Sequence, residues 1–299
     1  MQYRGWTIFL CASIFCASGL AQKLSVETTL VVVPVSVTDH SNRFVLGLEK
    51  QNFRIYEDGV EQKISQFSGE DVPLSLGILV DTSASIGSKF AKSRQAVAEL
   101  LKTMNQQDEA FLVEFSDHPI LAVPFTRSTA EIQAKIDSAT PDGTTALLDA
   151  VDLAVETMKQ AHNARKALVL VSDGGENSSK YSVDDVKEMI KKADVLVYAL
   201  GVFDPIDRLG LGPTVSGPQF LASLCDQTGG RVFPANTYAA LPNIARRIGI
   251  ELRNQYILAY SPINHARNGE YRKLEVKVSP PPGLPDVSAR WRLGYYATR

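Results

Sequence analysis

Three short stretches of this 299-residue chain gather oxygen-bearing side chains without histidine or cysteine. Asp81-Thr82-Ser83-Ala84-Ser85 closes the run LSLGILV, Gly143-Thr144-Thr145 precedes ALLDAVDLAVETM, and Ser172-Asp173-Gly174-Gly175 closes KALVLV. Hydroxyls and carboxylates are hard donors. They suit Mg²⁺, Ca²⁺ or Mn²⁺ and do not suit zinc or copper. Mg²⁺ keeps several waters in its octahedral shell, so few direct protein ligands are enough to hold it. Taken singly, each stretch has a plainer reading, because aspartate and serine after a strand commonly form turns or cap helices. Three of them in one register favour a cation site.

Such a site needs a scaffold that brings the three loops to one edge. From Pro73 the sequence alternates buried-type apolar runs with helical periods, the pattern of a mostly parallel sheet with crossover helices. LSLGILV, DEAFLVEF, KALVLV and DVLVYALGV read as strands, with PILAVPF an antiparallel excursion after a short link. Leu147, Ala150, Val151, Ala154 and Met158 keep the i, i+3, i+4, i+7 rule, which puts Thr144 and Thr145 at a helix entrance. Ser128 with Glu131, and Ser182 with Asp185, have the spacing of capping boxes. Helices are expected over Gln219–Gln227 and Ala240–Leu252, with a short strand RVFPA between them. The fold class is therefore α/β, a doubly wound, mostly parallel sheet flanked by helices. In such sheets ligands bind outside the carboxyl ends of the strands, where these loops stand.

The α/β unit, residues 73–252, has β-rich sequence on both sides. In the N-terminal flank, 22–72, Leu30–Val37 is valine-rich and Pro34 suggests an edge strand. Asp58-Gly59 between alternating runs signals a hairpin. The C-terminal flank, 253–299, carries QYILAYSP, YRKLEVKVS and WRLGYYA. Neither flank can bury much core alone, so they are expected to pack together or to extend one sheet.

Residues 1–21 form a further unit: Arg4 precedes an uncharged, mostly apolar stretch ending in Gly-Leu-Ala21, the form of a cleaved secretory signal peptide. An uncleaved anchor is the alternative, since a span needs about 20 apolar residues. The expected location is secreted, periplasmic or in the cell envelope. Cys11 and Cys16 fall in the signal, which leaves Cys225 on a helical face as a buried apolar residue. The net charge of −2, without a polybasic block, argues against nucleic acid as a partner. The four histidines, His40, His118, His162 and His265, are far apart and offer no hydrolase triad. Asp149 and Asp152 read as a solvated helix face, and Glu176, Asn177 and Ser178 as rim or turn residues. The Gly/Pro-rich insertion 203–218 reads equally as a specificity loop or a surface insertion.

With these motifs in order, Pro73 to Ile250 resembles a von Willebrand factor type A domain with a metal-ion-dependent adhesion site. DTSAS matches that family's D-x-S-x-S strand end, GTTALLDA its threonine loop and SDGG its third loop. The resemblance implies that Ser83 and Ser85 bind the cation directly through their hydroxyls. It implies Thr145 as the threonine ligand, with Thr144 as fallback. Asp81 and Asp173 would hold the ion chiefly through waters and through hydrogen bonds to the ligating hydroxyls. The flanks resemble a bacterial, acidobacterial-type subfamily of secreted proteins related to this family.

A site whose direct ligands are mainly neutral hydroxyls leaves the ion electron-poor, and a partner's Asp or Glu can complete the shell. The expected function is that of a non-enzymatic, exported adhesion or scaffold module for a protein partner. Two alternatives stand beside it. One is a metal-dependent phosphohydrolase with Asp81 as nucleophile, for which Lys89 is the one neighbouring lysine and a second aspartate is replaced by Ser83. The other is a structural envelope protein whose cation site is inactive.

Overall fold

The computed structural model describes residues 30–201, 217–235, 237–284 and 286–297. The expected signal segment 1–21 and residues 203–216 of the insertion lie outside the described residues.

The chain opens with β1 (Val31–Asp39), β2 (Phe53–Glu57), β3 (Val60–Gln62) and β4 (Ile64–Ser68). Asp58 and Gly59, at φ 47° and 82°, make the β2–β3 hairpin turn. That is the positive-φ pair such a two-residue turn requires. The α/β unit follows. It runs β5 (Leu74–Asp81), α1 (Phe90–Leu101), β6 (Glu109–Phe115), β7 (Pro119–Thr126), α2 (Thr129–Ser138), α3 (Leu147–Met158) and β8 (Arg165–Ser172). It continues through α4 (Val183–Ala193), β9 (Leu196–Gly201), α5 (Gly217–Asp226), β10 (Val232–Pro234) and α6 (Leu241–Arg253). Strands β11 (Gln255–Tyr260), β12 (Tyr271–Val278), β13 (Val287–Arg290) and β14 (Gly294–Tyr296) end the chain.

The central sheet has the order β10-β9-β8-β5-β6-β7, parallel except for β7. β5 therefore lies between β6, which follows it, and β8, which the chain reaches only after doubling back. That reversal of winding opens a crevice at the carboxyl ends of β5 and β8. All eight residues of β5 are buried, as expected of a strand covered on both faces. Leu74, Leu76, Ile78 and Val80 face α1, α2 and α6, and Leu79 faces α3, α4 and α5. Ser182 and Asp185 form the reciprocal box their spacing implies, whereas Ser128 accepts from Glu131 N at 3.3 Å but gives its own amide to Thr126 Oγ1 at 3.1 Å, so only half of that box closes.

The two flanks form two four-stranded sheets, ordered β13-β1-β11-β4 and β14-β12-β2-β3. Val33, Val35, Ile55, Leu258, Tyr260 and Val276 share one core between them. Each sheet takes strands from both ends of the chain, with β1 antiparallel to β11 and β2 antiparallel to β12. The edge position expected for β1 is corrected here, since β1 is interior. Pro34 is tolerated because β13 pairs only with Ser36–Asp39. At Pro34 the missing N–H costs no ladder bond on that side.

Candidate functional site

The site is built first from strand ends. Asp81 is the last residue of β5 and Ser172 the last of β8, on neighbouring parallel strands. The Ser172 hydroxyl donates to Asp81 Oδ2 at 2.9 Å. Asp81 Oδ1 receives the Ser83 amide at 2.9 Å and the Ser83 hydroxyl at 2.6 Å. Ser83 stands before a short 3-10 turn, Ala84–Lys89, and its hydroxyl makes no capping bond there. The plainer reading of Ser83 as a helix cap therefore fails. Ser83 Oγ lies 3.0 Å from Ser85 Oγ, which in turn donates to Asp173 Oδ2 at 3.2 Å. Asp81, Ser83, Ser85 and Asp173 thus form one continuous chain of oxygens. Asp81 and Ser83 lie on its floor with no exposure, while Ser85 is exposed and Asp173 half-buried.

The loop before α3 joins the first loop through its backbone. Ala84 N donates to Gly143 O at 3.0 Å and Asp142 N to Thr82 O at 2.8 Å. The structure separates the two threonines. Thr144 gives its amide and its hydroxyl to Asp117 Oδ1, each at 2.6 Å, and also meets the Ser178 hydroxyl. Thr145 is buried, and its hydroxyl, like the Asp173 carboxylate, lies close to Gly175. Its backbone is clamped by Asn177, which receives the Thr145 amide at 2.9 Å and returns its own amide to Thr145 O at 3.0 Å.

The third loop does more than form a rim. Glu176 Oε2 accepts the Leu148 amide at 2.9 Å, supplying α3 with the cap that Ala146 cannot give. Its other oxygen receives the Ser178 and Ser179 amides at 3.1 and 2.9 Å. Asp149, expected on a solvated face, accepts the Lys180 amide at 2.9 Å and so ties that loop to α3. These partners lie about thirty residues apart in sequence. Neither Glu176 nor Asp117 carries a local signal of its role.

Electrostatically the site is short of positive charge. Burial pushes the Asp81 carboxyl above its usual value, and the nearby Asp173 charge adds to this against the Ser83 and Ser172 hydrogen bonds. Among the described residues no lysine, arginine or histidine pairs with Asp81 or Asp173. A buried carboxylate is ordinarily paired with a cation or holds a metal. The donor set fits a hard divalent ion. Neighbouring oxygens on an octahedral Mg²⁺ shell with arms of about 2.1 Å stand ~3.0 Å apart, and Ser83 and Ser85 are separated by that spacing. Among the described residues no three His, Cys, Asp or Glu side chains gather to hold a metal. Any ion here would rest on hydroxyls with two carboxylates.

Comparison with known proteins agrees with this architecture. Residues 76–176, within the α/β unit, match the von Willebrand factor type A domain family. A solved von Willebrand factor type A structure from Catenulispora acidiphila superposes with a TM-score of 0.52 at 11% identity. It covers 91% of this chain and 74% of its own. Proximal thread matrix protein 1 from the mussel byssus superposes with a TM-score of 0.53 at 18% identity, over 66% of this chain and 51% of its own. Another structure of that mussel protein has a zinc-occupied MIDAS motif. An uncharacterised protein of Borreliella burgdorferi is 22% identical over 211 residues, or 60% of this chain. The match spans 62% of that relative's length.

Proposed function

We propose that this chain is an exported, non-enzymatic binding module that holds a divalent cation at the carboxyl edge of its central sheet. Through that ion it captures an acidic side chain of a protein partner. The observation that carries the reading is Asp81, a fully buried carboxylate whose partners among the described residues are two hydroxyls and an amide, with the Asp173 charge nearby, rather than a cation. Ser83, Ser85 and Thr145 would supply neutral oxygens, with Asp81 and Asp173 orienting the two serine hydroxyls. An ion held in this way retains a strong pull on an added carboxylate. The exposed Ser85 and half-buried Asp173 place that pull at the surface. The mussel protein's zinc-occupied motif supports occupancy of this kind of site and puts Zn²⁺ beside Mg²⁺, Ca²⁺ and Mn²⁺ in the series to be tested. Export rests on the sequence of residues 1–21. Among the described residues, no helix is long and apolar enough to cross a membrane.

The test is a thermal unfolding series in EDTA, then with each cation. A metal-dependent rise in melting temperature that disappears in Asp81→Asn is expected. Equal curves for wild type with and without every cation would overturn the assignment. A pull-down from native envelope extract, with and without EDTA, then tests whether capture depends on the ion.

A further inference from the structure

Where the α/β unit meets the β-sandwich there is a cavity of about 40 Å³, room for roughly three water-sized positions. Arg165 from the start of β8, Gln227 from the turn after α5 and Arg292 from the segment between β13 and β14 line it. Both arginines are buried, at 4% and 7% exposure. Both guanidiniums are anchored by hydrogen bonds to the protein. Arg165 gives Nη1 to Val72 O at 2.7 Å and Nη2 to Leu252 O and Gln255 Oε1, and Arg292 gives Nη1 to Asp194. The Nε of each guanidinium remains buried without an acceptor, and Gln227 Oε1 is buried without a donor. Orphaned buried polar atoms are rare in folded proteins, so three on residues that line one cavity call for an occupant.

The charge around the cavity selects that occupant. Lys166 and Lys191 join the two arginines on its walls, against the single carboxylate of Asp194. Lys191 is offset by Glu188 at 2.9 Å, and Asp71, 3.5 Å from Arg165, is shared with Arg253 at 3.0 Å. Lys166 has no ion-pair partner among the described residues. Burial pushes the Arg165 guanidinium down in spite of Asp71, with the like charge of Arg253 adding to it. Arg292 is brought to the cavity by close docking of main chains. Gly229, at φ 86°, leaves no room for a Cβ against the Trp291–Arg292 backbone, and Leu293 N donates to Gln227 O at 3.2 Å.

We propose that this cavity binds one small inorganic anion of chloride size between Arg165 and Arg292, and that the ion joins the β-sandwich to the α/β unit. The two Nε–H groups donate to the anion. A companion water gives one hydrogen to the ion and the other to Gln227 Oε1.

The experiment uses the full chain in EDTA, which keeps divalent cations out of the readout. Melting temperatures are compared in sodium chloride and sodium gluconate at equal ionic strength. Chloride is expected to raise the midpoint by ~3 °C with a saturating dose dependence. Gln227→Glu places a tethered carboxylate at the cavity and is expected to abolish the chloride response. No chloride-specific shift in the wild type, or an undiminished shift in Gln227→Glu, overturns the proposal. Bromide-soaked crystals give a readout independent of the variant's folding. An anomalous peak between the two Nε atoms supports the site, and waters alone there refute it.

Discussion

At the amino ends of β5 and β6, Asp108 is fully buried, accepts the Leu74 and Asn105 amides, and is paired with Arg253. Asp71 and Arg165 extend that cluster. At the carboxyl ends of the same sheet Asp81 is buried as deeply and receives three hydrogen bonds, from the Ser83 amide and the Ser83 and Ser172 hydroxyls, but among the described residues no cation pairs with it. Both are buried, hydrogen-bonded carboxylates at the ends of sheet strands, and the balance of charge among the described residues sets them apart. One end brings its own counter-ions and behaves as structure. Among the described residues the other leaves a carboxylate pair short of positive charge, which is what a site for an added cation requires.

The most forceful way to break this comparison is at the balanced end. Asp108→Ala leaves Arg253 and two backbone amides short of an acceptor. It should cost about 3 kcal/mol in denaturant unfolding, equally in EDTA and in Mg²⁺. A metal-dependent cost would mean that the two ends are not independent. At the unbalanced end the expected sign reverses. Asp81→Asn should be no less stable than wild type in EDTA, because it removes a buried charge that hydrogen bonds, but no cation among the described residues, offset. It should also lack the gain that metal gives wild type, about 2.7 kcal/mol at a metal concentration near one hundred times Kd.

Acid titration in EDTA sharpens the contrast. Glu109, beside the balanced end, would be raised by burial. The Ser75 hydroxyl and the His162 amide and ring together hold it below its usual value. A depressed carboxyl contributes stability that is present above its unfolded value and lost as pH falls through its folded one, so Glu109→Gln should flatten the acid limb by about 1 kcal/mol. Asp81, raised by burial, contributes stability that is present at low pH and lost as pH rises through its folded value. Asp81→Asn should therefore abolish a loss on the neutral side. Opposite changes of slope in two pH-dependent unfolding series are the expected result.

The smallest effect distinguishes the two threonines. Thr145→Ala should weaken metal affinity about 10-fold, a loss of the size seen when metal-site support is removed, with little change in the EDTA melting temperature. Thr144→Ala, whose hydroxyl is engaged by Asp117 and Ser178, should leave affinity within about twofold. Metal titrations of the two variants side by side would reveal a reversed order.

The oxygen chain Asp81–Ser83–Ser85 was legible because it is local. Five consecutive residues after an apolar strand carry it, and strand geometry places them together without help from elsewhere. Asp173 was legible for the same reason, at the end of a second buried run. What escaped notice acts across distance in sequence. Asp117 reaches Thr144 over 27 residues and Glu176 reaches Leu148 over 28. Neither has a neighbour in sequence that reveals its partner. β13, four residues with no buried position, has too little apolar alternation to stand out. Pro34 misled because a proline disqualifies a central strand only where a partner needs its N–H, and β13 stops short of that point.

By itself the sequence determined the order of strands and helices in the α/β unit, the hard-oxygen chemistry of three loops, and their place at strand ends. Periodicity and local spacing depend on nearest neighbours, and a linear chain states those directly. Only the tertiary structure decided that Thr144 is engaged by Asp117 and Ser178 while Thr145 is buried near Gly175, that the flanks share one sandwich core, and that among the described residues Asp81 pairs with no cation while Asp108 has Arg253. Those outcomes depend on which apolar faces, charges and hydroxyls the fold brings into contact, hydrogen bonds and close ion pairs forming at about 3 Å, and residues far apart in the chain supply them.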